Sequence, residues 1–373
     1  MATNEQSARK RAIDTVVRSV LPIILALITA ALILVALGKD PLHFYGGVFE
    51  NGVLGANWQH SLVMMTPLLL IAIALIVVFR GQLWNLGYDG QFLLGAVAVG
   101  GLAPQLVAAT SPGVAYLILT VAAIAVAALW TIPPAWLKAR FGTNEIITTL
   151  VMSTIGIGLT NILVEYVFQD PGVIVPQTRA LDQSDMLPYI PGTHVHVGFI
   201  FAIVVAIVFQ FILSRTSFGL RLDVFGASPK SARHVGINSR RMTIILFLIS
   251  GGLIGLAAAM DIFGQWGYVR TNWNPAYGDT IMPFVFLARL SPVGSIPFIA
   301  FYSVFATGGT IAAQESGISV DFIKVIVALI LIFMTITEYV GTKRDLGQSY
   351  LPDELKDALR KPVAIITGKR VTQ

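Results

Sequence analysis

Laid out as ten membrane crossings, the apolar runs of this chain leave 21 of its 25 Lys and Arg residues on one side. Each run approaches the about 17–25 apolar residues that cover a hydrocarbon core. The cations then collect where the positive-inside rule puts the cytoplasm. Arg9, Lys10, Arg11 and Arg18 precede the first run, Arg80 follows the second, and Lys138 and Arg140 follow the fourth. Arg215, Arg221, Lys230, Arg233, Arg240 and Arg241 lie between the sixth and seventh, Arg289 follows the eighth, and the rest occupy the tail from Lys343 to Arg370. Lys39, Arg179, Arg270 and Lys324 fall elsewhere. Backbone inside lipid must satisfy its own hydrogen bonds, which leaves helices as the spanning element for runs of this length. The expectation is an all-α polytopic protein of a bacterial inner membrane, with both termini cytoplasmic.

Charged residues make up 12% and apolar residues 55% of the chain, whereas a soluble domain carries roughly 25% charged residues. The net charge of +5 needs no nucleic acid to explain it, because the excess sits in loops that face anionic headgroups. There is no cysteine, so neither a disulfide framework nor a thiolate site is available. The run Val20–Leu37 follows a basic stretch but is longer than a typical signal-peptide core, and reads as an uncleaved anchor.

The crossings are read as 20–37, 62–79, 92–107, 114–136, 146–168, 197–213, 242–263, 280–288, 298–313 and 322–340. This divides the chain into a cytoplasmic segment 1–19, a membrane domain 20–341 with a basic inner loop 214–241, and a cytoplasmic tail 342–373. A short amphipathic helix is expected at 352–361 of that tail. Spans 3 and 8 are short, the eighth too short to cross alone, so that it either crosses with help or re-enters. Span 3 follows Gly87-Tyr-Asp-Gly-Gln91 and span 8 follows Ala276-Tyr-Gly-Asp-Thr280. If spans 2–5 and 7–10 are inverted repeats, these broken elements face each other, as at the central site of transporter folds.

Chemistry-bearing motifs are sparse. No phosphate-binding G-x-x-x-x-G-K-[ST] loop, no H-E-x-x-H helix and no D-D-x-x-D acidic pair occurs, which argues against ATP hydrolysis by that route and against a lipid-linked transferase. His194 and His196 form an H-x-H without a nearby third ligand, so no metal is expected. Glu145, Glu165, Asp261, Lys324 and Glu338 sit near span ends, which disfavours an ion-coupled carrier with a charged midplane site. Glu145, Thr149, Ser153, Gly156 and Thr160 recur at three- and four-residue intervals, one face of a helix. Their hydroxyls either hydrogen-bond a passing solute or bond neighbouring helices. In the inner loop, Ser228-Pro229 has the form of an N-cap and first helical residue, with Gly236 as the stop.

These residues carry a resemblance. Thr216-Ser-Phe-Gly-Leu-Arg221, Gly226-Ala-Ser-Pro-Lys-Ser-Ala-Arg-His-Val-Gly-Ile-Asn238 and the stretch Leu248–Met260 resemble the permeases of sugar and nucleoside ABC importers, a superfamily shared with branched-chain amino-acid permeases. The likeness extends to Trp84-Asn-Leu-Gly-Tyr-Asp-Gly-Gln91, Phe141-Gly-Thr-Asn-Glu-Ile-Ile-Thr-Thr-Leu150 and Ala288-Arg-Leu-Ser-Pro-Val-Gly294. The 144–150 stretch and the outer segment with Asp170-Pro171, Val175-Pro-Gln-Thr178 and Met186-Leu-Pro188 look like the nucleoside-type branch. Two positions depart from that pattern: Asp89 stands where many relatives carry glutamate, and Ala288-Arg289 replaces a small, glycine-rich pair.

The resemblance implies a transporter subunit, not an enzyme, passing a nucleoside or, alternatively, a simple sugar such as a pentose. It implies a separate ABC ATPase with two nucleotide-binding domains in one chain, a second related permease and an extracytoplasmic solute-binding lipoprotein. Asn85, Tyr88, Asp89, Gln91, Asn144, Thr149, Ser153, Thr160 and Phe284 become the candidate path residues. Gly226, Ala227, Ser228, Arg233 and Gly236 become the contact with the ATPase. No cofactor and no metal are expected.

Overall fold

The computed structural model describes residues 2–55 and 57–346. Among these, nine helices are long and apolar enough to cross a membrane. The fold is all-α and polytopic, and three isolated β-bridges pin the outer loops. The described residues of Met1–Ala30 and Ala328–Gln373 form one compact unit, and Ala31–Val327 forms another. In the first unit, α1 (Ala2–Ala36) and α14 (Phe322–Asp345) meet where the Arg18 guanidinium donates to the Gly341 carbonyl at 3.3 Å. The expected helix at 352–361 lies outside the described residues.

The second unit is built around two helices that are apolar on every side. A helix without a polar face belongs inside a bundle. In α3 (Trp58–Arg80) every side chain from Met65 to Phe79 is buried, and in α11 (Ser239–Asp261) so is every residue from Ser250 to Asp261. Around them stand α4 (Tyr88–Ala109), α5 (Pro112–Trp130), α6 (Ile132–Phe141), α7 (Glu145–Ile162), α8 (Gly198–Arg215) and α13 (Pro292–Glu315). Small residues set the closest approaches: a Cβ on Gly156 of α7 would come within 2.9 Å of the Gly90 backbone of α4. Packing runs α3 on α13, α3 on α12 (Tyr277–Leu287), α11 on α5 and α11 on α4, with α3 against α11. Exchanging spans 2–4 for spans 7–9 maps that set of pairings onto itself, and spans 5 and 10 take no part in it.

Two features differ from the sequence reading, and a third follows it. The third crossing is not short: α4 runs for 22 residues, because its first turn starts in the polar Gly87–Gln91 stretch that hydropathy excludes. The fourth crossing is interrupted where Thr131-Ile-Pro-Pro predicts irregular backbone: it is two helices, broken at Thr131, where Pro133 and Pro134 withhold backbone donors and α6 restarts. A helix that was not expected, α2 (Pro41–Phe49), precedes α3. Asp40 caps it, accepting from the Leu42 amide at 2.8 Å, and it packs on α13. With nine residues and Gly46-Gly47 inside, α2 carries neither the length nor the periodicity of a crossing. The eighth segment is as short as read: α12 has 11 residues.

Candidate functional site

The 11 residues of α12 rise about 16 Å, half of a hydrocarbon core of about 30 Å. The connection 267–276 therefore descends into the bundle before α12 begins, ending at Ala276 in left-handed conformation (φ 51°). There the N-terminus of α12 meets that of α4. The Tyr88 hydroxyl donates to the Asp279 carboxylate, and Gly278 lies so close to the Tyr88 ring that a side chain there would overlap it. Asn274 Nδ2 donates to Asp89 Oδ2 at 3.1 Å. Tyr277 Oη donates to Asp261 Oδ2 at 3.2 Å, and Asp261 itself is buried. An aromatic wall flanks the carboxylates: Phe92 against Tyr277 (5.4 Å between centroids) and Trp273 (6.1 Å), and Trp273 against Trp266 (5.3 Å).

The depth of this crossing point follows from α7. Gly90, next to Asp89, rests on the backbone of Ser153, eight residues or about 12 Å from the helix start at Glu145. At that start Glu145 pairs with Lys138 at 2.6 Å. Yet Asp279 and Asn274 are exposed on the single chain, and Asp89 is half-buried. A carboxylate open to lipid at that depth is prohibitive, so this face meets water or a polar protein surface.

Beneath the crossing point, residues 81–87 form a non-helical connection that cannot be left unsatisfied in a membrane. Asn85, fully buried, meets part of that need and ties the connection to its neighbours. Its Nδ2 donates to Gln91 Oε1 and to Ser250 Oγ, both at 3.0 Å. Its Oδ1 accepts from Gln91 Nε2 at 2.8 Å and from the Gly87 amide at 3.2 Å. Thr149 Oγ1 accepts from the Leu86 amide at 3.1 Å, and Ser153 Oγ from the Gly90 amide at 3.0 Å.

The structure thus brings together Asn85, Tyr88, Asp89, Gln91, Thr149 and Ser153, but in two roles. Tyr88 and Asp89 belong to the open crossing point. Asn85, Gln91, Thr149 and Ser153 are occupied in holding the connection. Glu145, Thr149, Ser153, Gly156 and Thr160 do share one buried face of α7, and two of the three hydroxyls on it go to neighbouring backbone, not to an open channel. Thr160 is buried, its hydroxyl without a hydrogen-bond partner among the described residues. Asn144 is exposed at the start of α7, where its side chain caps the helix by accepting from the Ile146 amide at 3.0 Å. Phe284 is fully buried against Phe301 and Tyr302. Asn274 and Trp273 escaped the sequence reading; the signal available was the polar Asn272-Trp-Asn-Pro275 immediately before the Tyr-Gly-Asp turn.

On the basic side, α9 (Ser217–Ala227) and α10 (Pro229–His234) fill the inner loop. Ser228 caps α10, accepting from the Ser231 amide at 3.2 Å, Pro229 takes the first helical position, and Gly236 (φ 81°) turns the chain away. Arg233 and Ala227 are exposed, whereas Ala232 is buried. Gly226 lies within α9 and touches the Arg80 carbonyl at the end of α3, where a Cβ has no room. The Arg80 guanidinium holds Asp223 through two hydrogen bonds, Nε to Oδ1 at 3.1 Å and Nη2 to Oδ2 at 2.9 Å.

The H-x-H pair is split. The His194 amide donates to Gln59 Oε1. His196 is buried against Gly264, and neither ring nitrogen has a hydrogen-bond partner among the described residues. Burial pushes its imidazole down to about 4. Among the described residues, no group of three or more metal-ligating side chains comes together.

Comparison with known proteins agrees with this architecture. The chain is similar to a glucose ABC transporter permease protein of Haloferax volcanii (29% identical, covering 86% of this chain and 87% of that protein). It is similar also to a guanosine ABC transporter permease protein of Bacillus subtilis (28%; 84% and 90%) and a nucleoside ABC transporter permease protein of Lactococcus lactis (24%; 84% and 89%). No solved structure matches the chain. The family described as "Branched-chain amino acid transport system / permease component" matches residues 57–335, which include α3–α13, the crossing point and the basic inner loop. Its architecture and this match together make the chain a multi-pass membrane permease of that family.

Proposed function

We propose that the chain is one of two related permease subunits of an ABC importer and forms one wall of the path for a nucleoside or a related small polar solute. The observation that carries the reading is the open crossing point: Asp89, Asn274 and Asp279, with Tyr88, present hydrogen-bonding groups at mid-span depth on a face the chain leaves uncovered. A second subunit opposite that face completes a wet, polar passage. Amides and carboxylates suit the hydroxyls of a ribose, and the half-buried Trp273, with Phe92 buried behind it, suits the flat face of a base. The self-mapping helix pairings support reading spans 2–5 and 7–10 as inverted repeats about this point.

The basic side faces the cytoplasm, both termini with it, and α10 is the coupling helix that a double-cassette ATPase grips. An extracytoplasmic lipoprotein delivers solute to the outer loops. The chain supplies the path and the lever, and ATP is hydrolysed by its partner. A simple sugar is the second reading, favoured by the similarity to a glucose permease protein.

The test is reconstitution of this permease with its sister subunit, ATPase and lipoprotein in proteoliposomes. ATP-dependent uptake of labelled guanosine, outcompeted by nucleosides and not by glucose or ribose, is expected. Uptake driven by an ion gradient without ATP would overturn the importer reading, and competition by sugars alone would overturn the nucleoside reading.

A further inference from the structure

Where the bundle meets the cytosol, α9 and the start of α11 enclose a groove of about 430 Å³. Phe218, Ile237, Met242 and Ile245 give it apolar walls, Arg221 and Arg241 give it two guanidinium groups, and no carboxylate lines it. Both arginines are exposed, and neither has an ion-pair partner among the described residues. Bundled helices of this protein do pair their cations elsewhere, Arg80 with Asp223 and Lys138 with Glu145. What sets these two arginines apart is the apolar lining they share.

The surroundings identify an occupant. α9 packs on α8, whose Phe201, Val204, Val208 and Phe211 are all exposed. Their spacing puts them on one helical face, an apolar stripe suited to acyl chains, and it leads to Arg215 at the end of α8. Leu220, beside Arg221, and Val235, on the groove itself, are each 68% exposed. A cationic rim over apolar walls, adjoining a lipid-facing stripe, matches an amphiphile with an anionic head. Basic pockets between membrane helices on the cytoplasmic side bind such headgroups. We infer that this groove is a binding site for one anionic phospholipid, its phosphodiester held between Arg221 and Arg241 and its glycerol and upper acyl carbons against Phe218, Met242 and Ile245. The site borders the Val235–Asn238 turn that follows α10, so its occupant would brace the coupling element.

Native mass spectrometry of the full-length permease, purified with its ATPase, tests the site by titrating phosphatidylglycerol, phosphatidylcholine and inorganic phosphate in turn. The expected result is one retained phosphatidylglycerol that neither phosphatidylcholine nor inorganic phosphate displaces. The R221Q/R241Q pair should raise the concentration for half-occupancy about thirtyfold, as two lost cation contacts near an anionic surface imply, while R221K/R241K retains most of the binding. Should the double glutamine variant fail to assemble, R221Q and R241Q singly, each weakening retention about fivefold, decide the matter. Unchanged retention in the glutamine variants would overturn the assignment. So would displacement by inorganic phosphate, which marks a free-anion site. Unaltered lipid binding with loss of the co-purifying ATPase would instead make the groove a protein contact.

Discussion

Replacing Asn85 by alanine separates a scaffold residue from a path residue. The side chain is fully buried and takes part in hydrogen bonds with both ends of the Gln91 amide, with Ser250 Oγ and with the Gly87 amide. Alanine leaves Gln91 Oε1, Gln91 Nε2 and the Gly87 N–H without those partners in a site closed to water. A buried polar group left unpaired costs about 1–3 kcal/mol. The link to Ser250 joins two helices, and such bonds in membrane proteins average only about 0.6 kcal/mol. Taking the low end for each orphaned group gives a loss of about 3 kcal/mol. The assay is thermal unfolding of the purified permease in nanodiscs, run as a double-mutant cycle of Asn85→Ala with Gln91→Ala. Because Gln91 is the main partner, the double variant should be little worse than N85A alone, a coupling of about 1–2 kcal/mol. Uptake should fall with the amount of folded complex, and the apparent affinity for solute should not change. If N85A keeps wild-type stability yet weakens solute affinity, Asn85 lines the path and the scaffold argument is wrong.

Four further outcomes follow from the geometry. Tyr88→Phe removes the bond to Asp279 and nothing else, so uptake should drop about tenfold, the worth of one bond to a charged group, with assembly unchanged by size-exclusion chromatography. Gly226→Ala forces a methyl against the Arg80 carbonyl, a strain of about 1–3 kcal/mol; ATPase activity measured in liposomes should persist while uptake falls. Arg80→Met breaks a partly exposed ion pair worth about 0.5–1 kcal/mol, so unfolding should barely shift while ATP hydrolysed per solute imported rises. His196 gives a pH signature. Burial holds its imidazole neutral down to about 4, whereas the unfolded chain protonates near 6.5. Its full stability is therefore present above about pH 6.5 and is lost as pH falls toward 4, amounting to about 2 kcal/mol at pH 5. His196→Phe should flatten that part of the stability profile, and an unchanged profile would rule His196 out as its source.

How much of this was legible in the sequence depended on which physical signal each part carries. Crossings were readable because hydropathy and cation placement act over 20 residues. The buried face of α7 was readable because period alone fixes it: Glu145, Thr149, Ser153, Gly156 and Thr160 are its buried residues. The Ser228 cap, Pro229 and the Gly236 turn were readable because capping chemistry is local. What the hydroxyls on α7 do was not legible, since it depends on a connection 60 residues earlier in the chain. Nor was α2, too short to register as a crossing. Arg289 shows the limit from the other direction. It and Leu290 both adopt left-handed backbone (φ 52° and 55°), the conformation glycine takes without cost, so neither residue type signals the turn that follows α12.

The polar residues inside this bundle therefore divide by what they touch. Those that contact the 81–87 connection stiffen it, and stiffness matters because of what lies at its two ends. At one end Arg80 grips α9 through Asp223, and its carbonyl abuts Gly226. At the other, Tyr88 reaches Asp279 across the crossing point. Between them the Asn85–Gln91–Ser250 cluster and the two α7 hydroxyls leave the connection little freedom to absorb a displacement. Coupling between distant sites needs contiguous packed or hydrogen-bonded elements, and here the interval is seven residues. A soft, water-filled linker at that place would let α9 move without moving Tyr88. On the proposed coupling role of α10, the buried amides and hydroxyls, poor candidates for touching solute, carry a push at that loop to the crossing point.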